Sequence, residues 1–283
     1  MQSKDKVMAS FNYPVLQSFV SVVVPLTLMI LIVYSGIFDH IEVETGYDHY
    51  AEAADSTLGP IQFPASIKMP ANALVNIGYP LVALYWGVYT FVFNSKLTSI
   101  QNLDAYLLYV MVWMIFLYGP VQFVRIVTQT REWAFLDQWV TLPIFGWVMV
   151  ISKTMMTEWQ PKVATLTMAA SIMSYNLIFT IEHGFEVALL PHVVYAISSG
   201  WSATKKYTPP GYMRNFVAAV LTCAGFVLLK VADFHLAQYK PFQDLTGHFW
   251  SKVCDVLQAH YALKLFFSIS VVRGARNLAK KLF

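Results

Sequence analysis

The sequence predicts an all-α membrane protein, an eight-span helical bundle, and three observations carry that expectation. Of its 283 residues 57% are hydrophobic and only 12% are charged, about half the charged fraction of an ordinary soluble domain; mean hydropathy is +0.52. Apolar windows of about 20 residues, long enough to cross a bilayer core as a helix, follow one another along the chain. Lysine and arginine collect in alternate connections between those windows, as cytosolic loops do.

The expected spans are 15–37, 70–93, 103–124, 137–153, 163–181, 186–202, 214–234 and 247–270. The first is too long for a removable signal and lacks a small-residue cleavage site, so it is expected to stay as a span. Residues 38–69 form the one long connection, rich in acids and histidine: Asp39, His40, Glu42, Glu44, Asp48, His49, Glu52 and Asp55. The sixth span has the thinnest signal, being short with Glu186 at its start and His192 inside. Pro25, Pro80, Pro120, Pro143 and Pro191 fall within spans and predict kinks. The eighth span opens with a polar stripe and is followed by a basic tail, 271–283. The organisation is thus an N-terminal segment 1–37, an acidic loop 38–69, a seven-span core 70–270 and that tail.

With both termini cytosolic, the cytosolic side receives Lys4, Lys6, Lys96, Lys153, Lys162, Lys205, Lys206, Arg214, Arg273, Arg276, Lys280 and Lys281. Dropping the sixth span would move Lys205, Lys206 and Arg214 to the side of the acidic loop, against the charge rule. The expected location is an endomembrane, Golgi or endoplasmic reticulum, or the plasma membrane. A net charge of +3 gives no footprint for nucleic acid. Cys223 and Cys254 both sit in apolar segments and imply no disulfide framework. Tyr85, Trp86, Trp133, Trp139, Trp147, Trp159, Trp201 and Trp250 fall near span ends, as interfacial anchors do. His192 and His260 are expected to hydrogen-bond inside the bundle.

Three constellations carry chemistry. Asn72 and Asn76, at i and i+4, share a helix face and could hydrogen-bond across an interface. Tyr118, Gln122 and Arg125 are followed by Asp137 at the mouth of the fourth span. In the last span His248, Ser251, Lys252, Asp255 and Gln258 fall within an arc of about 120°, one polar stripe expected to face the interior because charges at bilayer depth are normally turned inward.

In order and spacing these elements resemble the superfamily of the alkaline ceramidases and the adiponectin and progestin-type receptors. That resemblance implies a seven-span core at 70–270 and zinc-dependent amide hydrolysis, with Asp137 and His248 on ligand positions. The chain departs from the pattern at two other ligand positions, where histidine is replaced by Gln122 and Lys252. A catalytic zinc ordinarily needs three protein ligands and a water, and an ammonium repels it.

The whole chain more closely resembles the transmembrane protein 187 family. The segments that carry the likeness include His49–Glu52, Leu117–Gln122, Leu136–Trp139, Gly184–Ala188 and Leu245–Gln258. The expected function is therefore a multipass protein that binds a membrane lipid or a partner through a degenerate hydrolase-like cavity, with no cofactor. An ion pair of Lys252 with Asp137, or with Asp255 at i+3, would stand where the metal stood. The alternative is a metal-dependent lipid amide hydrolase whose zinc ligands have moved to His183, Glu186, Asp137 and His248.

Overall fold

The computed structural model describes residues 2–97, 100 and 102–282, with side chains at 14–93, 100 and 102–280. Of the cytosolic cations expected from the sequence, Lys4, Lys6, Lys96 and Lys281 have side chains outside the described residues.

The chain is helical nearly throughout. The helices are α1 Gln2–Val33, α2 Pro70–Leu74, α3 Gly78–Leu97, α4 Asn102–Thr128, α5 Arg131–Met156, α6 Pro161–Met173, α7 Gly184–Tyr207, α8 Tyr212–Val231, the single turn α9 Asp233–Leu236, and α10 Gly247–Leu282. A 3-10 turn, Val75–Ile77, joins α2 to α3, and another, Ser174–Phe179, extends α6. Each predicted span falls on one of these helical rods.

Among the described residues five helical stretches are long and apolar enough to cross a membrane: Pro14–Val33, Pro70–Phe93, Asn102–Thr128, Arg131–Met156 and Tyr212–Val231. α6, α7 and α10 are not among them. The sequence marked the sixth span as the thinnest, and α7, though not short at 24 residues, is not counted among the five. The short one is α6, with 13 α-helical residues. There Ser174 Oγ bonds the Ser171 carbonyl at 2.8 Å and Thr180 Oγ1 that of Leu177 at 3.2 Å, offering the backbone partners outside the α ladder.

Side-chain contacts fix the direction of each rod. Phe38, just past α1, stacks on Phe135 at the head of α5 at 4.9 Å. Gly119 late in α4 meets Pro80 early in α3, and Lys252 early in α10 reaches Gln122 late in α4. At the opposite end Arg273 pairs with Asp104, and Tyr207 Oη donates to the Met155 carbonyl at 2.6 Å. The eight rods therefore alternate in direction, with residues 38–69 at one end, hereafter the loop end.

The apolar windows of α4 and α5 are 67% buried, against 17% in α1 and 11% in α8. α4 and α5 are thus the axis of the bundle, while α1 and α8 turn apolar side chains outward. Pro120, Pro143, Pro191 and Pro25 lie inside α4, α5, α7 and α1, but Pro80 falls in the first turn of α3.

Trp86, Trp139 and Trp147 are not interfacial anchors. They are buried, and their indole N–H groups donate to His260 Nδ1 at 3.2 Å and to the carbonyls of Ile172 and Leu107 at 2.9 Å. A buried indole needs such an acceptor, and neighbouring helices supply it. His192 is also held within the bundle, by the Ala188 carbonyl and Ser171 Oγ.

The α3–α4 crossing depends on Gly119. A Cβ there would lie 2.5 Å from Pro80 Cδ and 3.0 Å from the Asn76 carbonyl oxygen, neither of which can swing away. Gly119→Ala is expected to cost about 1–3 kcal/mol by overpacking, measured as unfolding of the purified protein in detergent. Gly87→Ala, whose Cβ would meet Val112 at an ordinary 3.4 Å, is the control expected to change little.

The loop 38–69 carries a two-residue antiparallel ribbon, Thr57–Leu58 with Ile61–Gln62, and is tied down elsewhere. Arg131 Nη2 donates to the carbonyls of Phe38, Asp39 and Ile41 at 3.1, 2.9 and 2.7 Å. Glu52 accepts the N–H groups of Ala71 and Asn72, both at 2.8 Å. Asp233 accepts that of Ala51 at 2.9 Å and that of His248 at 2.6 Å. Two carboxylates thus fasten the same loop strand to the exposed N–H ends of the helices at 70 and 247.

Candidate functional site: a polar seam and its cavity

The stripe on α10 is turned inward. His248, Ser251 and Lys252 are buried, whereas Trp250 and Leu257 on the other faces are 39% and 40% exposed. Asp255 and Gln258 continue the stripe at intermediate burial. Ser251 Oγ bonds the His248 carbonyl of its own helix at 2.7 Å, which leaves the three long polar side chains beyond it to make contacts between helices.

Two clusters form around this seam. In the first, near the loop end, Arg125 and Asp137 make an ion pair. Tyr118 Oη donates to Asp137 Oδ1 at 3.2 Å, and Thr141 Oγ1 lies 3.2 Å from the Tyr118 hydroxyl. Lys252 Nζ donates to Gln122 Oε1 at 2.7 Å. In the second, one turn along α10, Tyr79 Oη donates to Asp255 Oδ2 at 2.5 Å. The rings of Tyr79 and Tyr118 meet edge to face at 5.1 Å and join the clusters.

Lys252 therefore pairs with neither Asp137 nor Asp255. Asp137 is taken by Arg125, because α4 and α5 form a hairpin with a turn at residues 129–130; Arg125, four residues before that turn, and Asp137, seven after it, lie within one helical turn of the same level, a gap the long arginine spans. Asp255 is taken by the Tyr79 phenol. Arg125 was named in the sequence constellation but not as the partner of Asp137, and Tyr79 and Thr141 were missed. The placing of 125 and 137 on either side of a short turn, within one helical turn of the same level, was the available signal for that pairing; for Tyr79 and Thr141 nothing in the sequence singled them out.

Asn72 and Asn76 lie at the loop end of α2 and α3, both buried, but they do not bond across an interface. Asn76 Nδ2 donates to the carbonyls of Asn72 and Ala73 on its own helix at 2.8 and 3.3 Å. Only the Asn76 amide nitrogen is satisfied in this local way; Asn72 Nδ2 and Oδ1 and Asn76 Oδ1 are buried without a hydrogen-bond partner among the described residues.

The four residues His183, Glu186, Asp137 and His248 are not brought together. Asp137 faces Arg125, and His248 packs edge to face against Tyr50 at 4.8 Å. His183 and Glu186 line an open hollow of about 390 Å³ at the loop end, with Glu42, Glu44, His49 and Glu182. Among the described residues no three His, Cys, Asp or Glu side chains stand close enough to hold a metal ion. The original ligand positions fit zinc no better, since an ammonium donates to an amide where two imidazoles would be needed.

The seam instead borders a cavity of about 70 Å³. Tyr79, Tyr118, Thr141, Asp255 and Gln258 supply its polar wall, and the opposite walls are apolar, formed by Met111, Ile115, Ile144, Phe145, Val148 and Phe226 among others. Phe145, Val148, Gln258 and Ala262 also line a second hollow, which continues between α7 and α8 along Phe216, Val220, Cys223 and Leu265. Gln258 Oε1 is buried without a hydrogen-bond partner. The cavity thus has one polar wall and an adjoining apolar trough.

Residues 18–267 match the TMEM187 protein family. Transmembrane protein 187 of Homo sapiens is 42% identical over 246 residues, covering 87% of this chain and 90% of its own length. Transmembrane protein 187 of Bos taurus is 38% identical over 247 residues, covering 86% and 92%. No solved structure matches. The apolar helices make this a multipass membrane protein, and by the extent of these matches the chain belongs to the TMEM187 protein family.

Proposed function

We propose that this chain is an eight-span protein of an endomembrane or the plasma membrane, with both termini cytosolic, that binds a membrane lipid in the cavity beside α10. The observation that carries this reading is the two-sided lining: Asp255, Gln258, Thr141 and two phenols on one wall, apolar side chains on the others and along the adjoining trough. Such a site offers a headgroup hydrogen-bond acceptors and gives a chain the contacts it has in the bilayer. The alternation of eight rods supports the topology, since it returns both ends of the chain to the side where the sequence places its cations. The site holds and orients; nothing in its geometry supplies a nucleophile with an activating base.

The test is photolabelling in vesicles with a phospholipid carrying a diazirine on one acyl chain. Label is expected on peptides containing 141–148 and 255–262. Ala262→Phe, which fills space common to both hollows, is expected to lower labelling there several-fold without lowering yield. Labelling confined to the outward faces of α1 and α8, or undiminished in the Ala262 variant, would refute the proposal.

A further inference from the structure

We infer that the corner between α4 and α10 binds one small negative charge, held by Lys252 Nζ, Gln122 Nε2 and His248 Nε2. All three residues are at least nine-tenths buried, with exposures of 5%, 1% and 5% in that order. Lys252 belongs to neither of the two ion pairs found among the described residues. It donates to Gln122 Oε1, and this contact fixes the amide: turned over, Gln122 would set a donor against an ammonium. The amide nitrogen is therefore left beside the ammonium, buried and turned toward the Tyr118 hydroxyl without closing a hydrogen bond of good geometry. His248 Nε2, one turn back on the same face of α10, is also buried without a partner.

No nearby carboxylate makes an ion pair with Lys252, although the charge of Asp255, one turn along, acts on it through space. Asp137 answers Arg125 and Tyr118, Asp255 answers Tyr79, and Asp233 answers two backbone N–H groups. The rings of Tyr118 and Phe226, 5.9 and 5.5 Å from Lys252 Nζ, soften the charge without cancelling it. A buried cation with no counter-charge in contact is unfavourable. Here it sits with two further groups able to donate, His248 in its Nε2–H tautomer. Donors without acceptors around a fixed positive charge describe an anion site and repel a metal cation.

The charge can come from a free halide or from the carboxylate of an amphiphile. Asp255, one turn along, disfavours an anion that must pass through the cavity, so the geometry points to the free ion. None of the three donors lines that cavity, and this inference stands or falls separately from lipid binding.

The experiment is thermal unfolding of the full-length protein in a neutral detergent at constant ionic strength, with chloride or bromide replaced stepwise by gluconate, and a parallel series with oleate. Halide is expected to raise the midpoint by several degrees with saturation. Gln122→Glu places a carboxylate beside Lys252 and is expected to abolish the dependence while keeping the midpoint high; Lys252→Met is expected to abolish it too. A rise with oleate but not halide would assign the charge to an amphiphile. A wild-type midpoint indifferent to all three anions, or an unchanged halide dependence in Gln122→Glu, would overturn the inference.

Discussion

Arg125→Met is expected to destabilise the folded bundle by about 3–5 kcal/mol, the scale of a buried ion pair that loses one partner. Asp137 is 6% exposed, and among the described residues the Tyr118 hydroxyl is the hydrogen-bond donor left to its carboxylate without the guanidinium. The large figure comes from a stranded charge rather than from any net benefit of the pair, because desolvating both ions offsets most of their attraction. This distinction has a measurable consequence. Asp137→Asn in the Arg125→Met background removes the stranded charge and should recover more than half of the loss, so the two changes are strongly non-additive. Equilibrium unfolding of the single and double variants in mixed micelles measures this coupling. Additive losses would mean that Arg125 acts through packing, with Asp137 a bystander.

The same pair shows how far the sequence could be read. Period and polarity placed the helical rods and put His248, Ser251, Lys252, Asp255 and Gln258 on one inward stripe, since both depend only on local spacing. Which cation answers Asp137 depends on the hairpin between α4 and α5, and Lys252 was the wrong partner because Arg125 is closer along that hairpin. Trp139 and Trp147 looked like interfacial anchors from their positions in the chain, yet acceptors on other helices draw them inside. Shortening of α6 follows from hydroxyl bonds and from the packing of Tyr175 among Phe38 and Trp139, again a matter of neighbours distant in sequence. Membership of the acidic loop was plain; that two of the carboxylates behind its docking would be Glu52 and Asp233 was not.

Glu52 makes loop docking sensitive to pH. Glu52 is 7% exposed. Burial is the main cause that lifts it from 4.5 to about 7, and the charges of Asp55 and Asp233 push the same way against the two backbone N–H bonds from Asn72 and Ala71. A raised value means that the docked state favours the protonated acid. The contribution of Glu52 is thus complete below about 4.5 and disappears as pH rises through about 7. The difference between those values corresponds to roughly 3 kcal/mol. Asp55, held below its ordinary 3.8 by the Thr57 N–H and hydroxyl, works in the opposite sense but is exhausted once pH exceeds that value, so it leaves the window to Glu52. Proteolysis of residues 38–69 in vesicles that expose the loop should therefore be slow at pH 5.5 and many-fold faster at pH 8. Glu52→Gln, neutral at both pH values and still able to accept an N–H, should be cut slowly at both. A cleavage rate that is flat across this range in the wild type, or that rises on acidification, would show that the two N–H bonds outweigh burial and that the loop is latched by an ionised carboxylate.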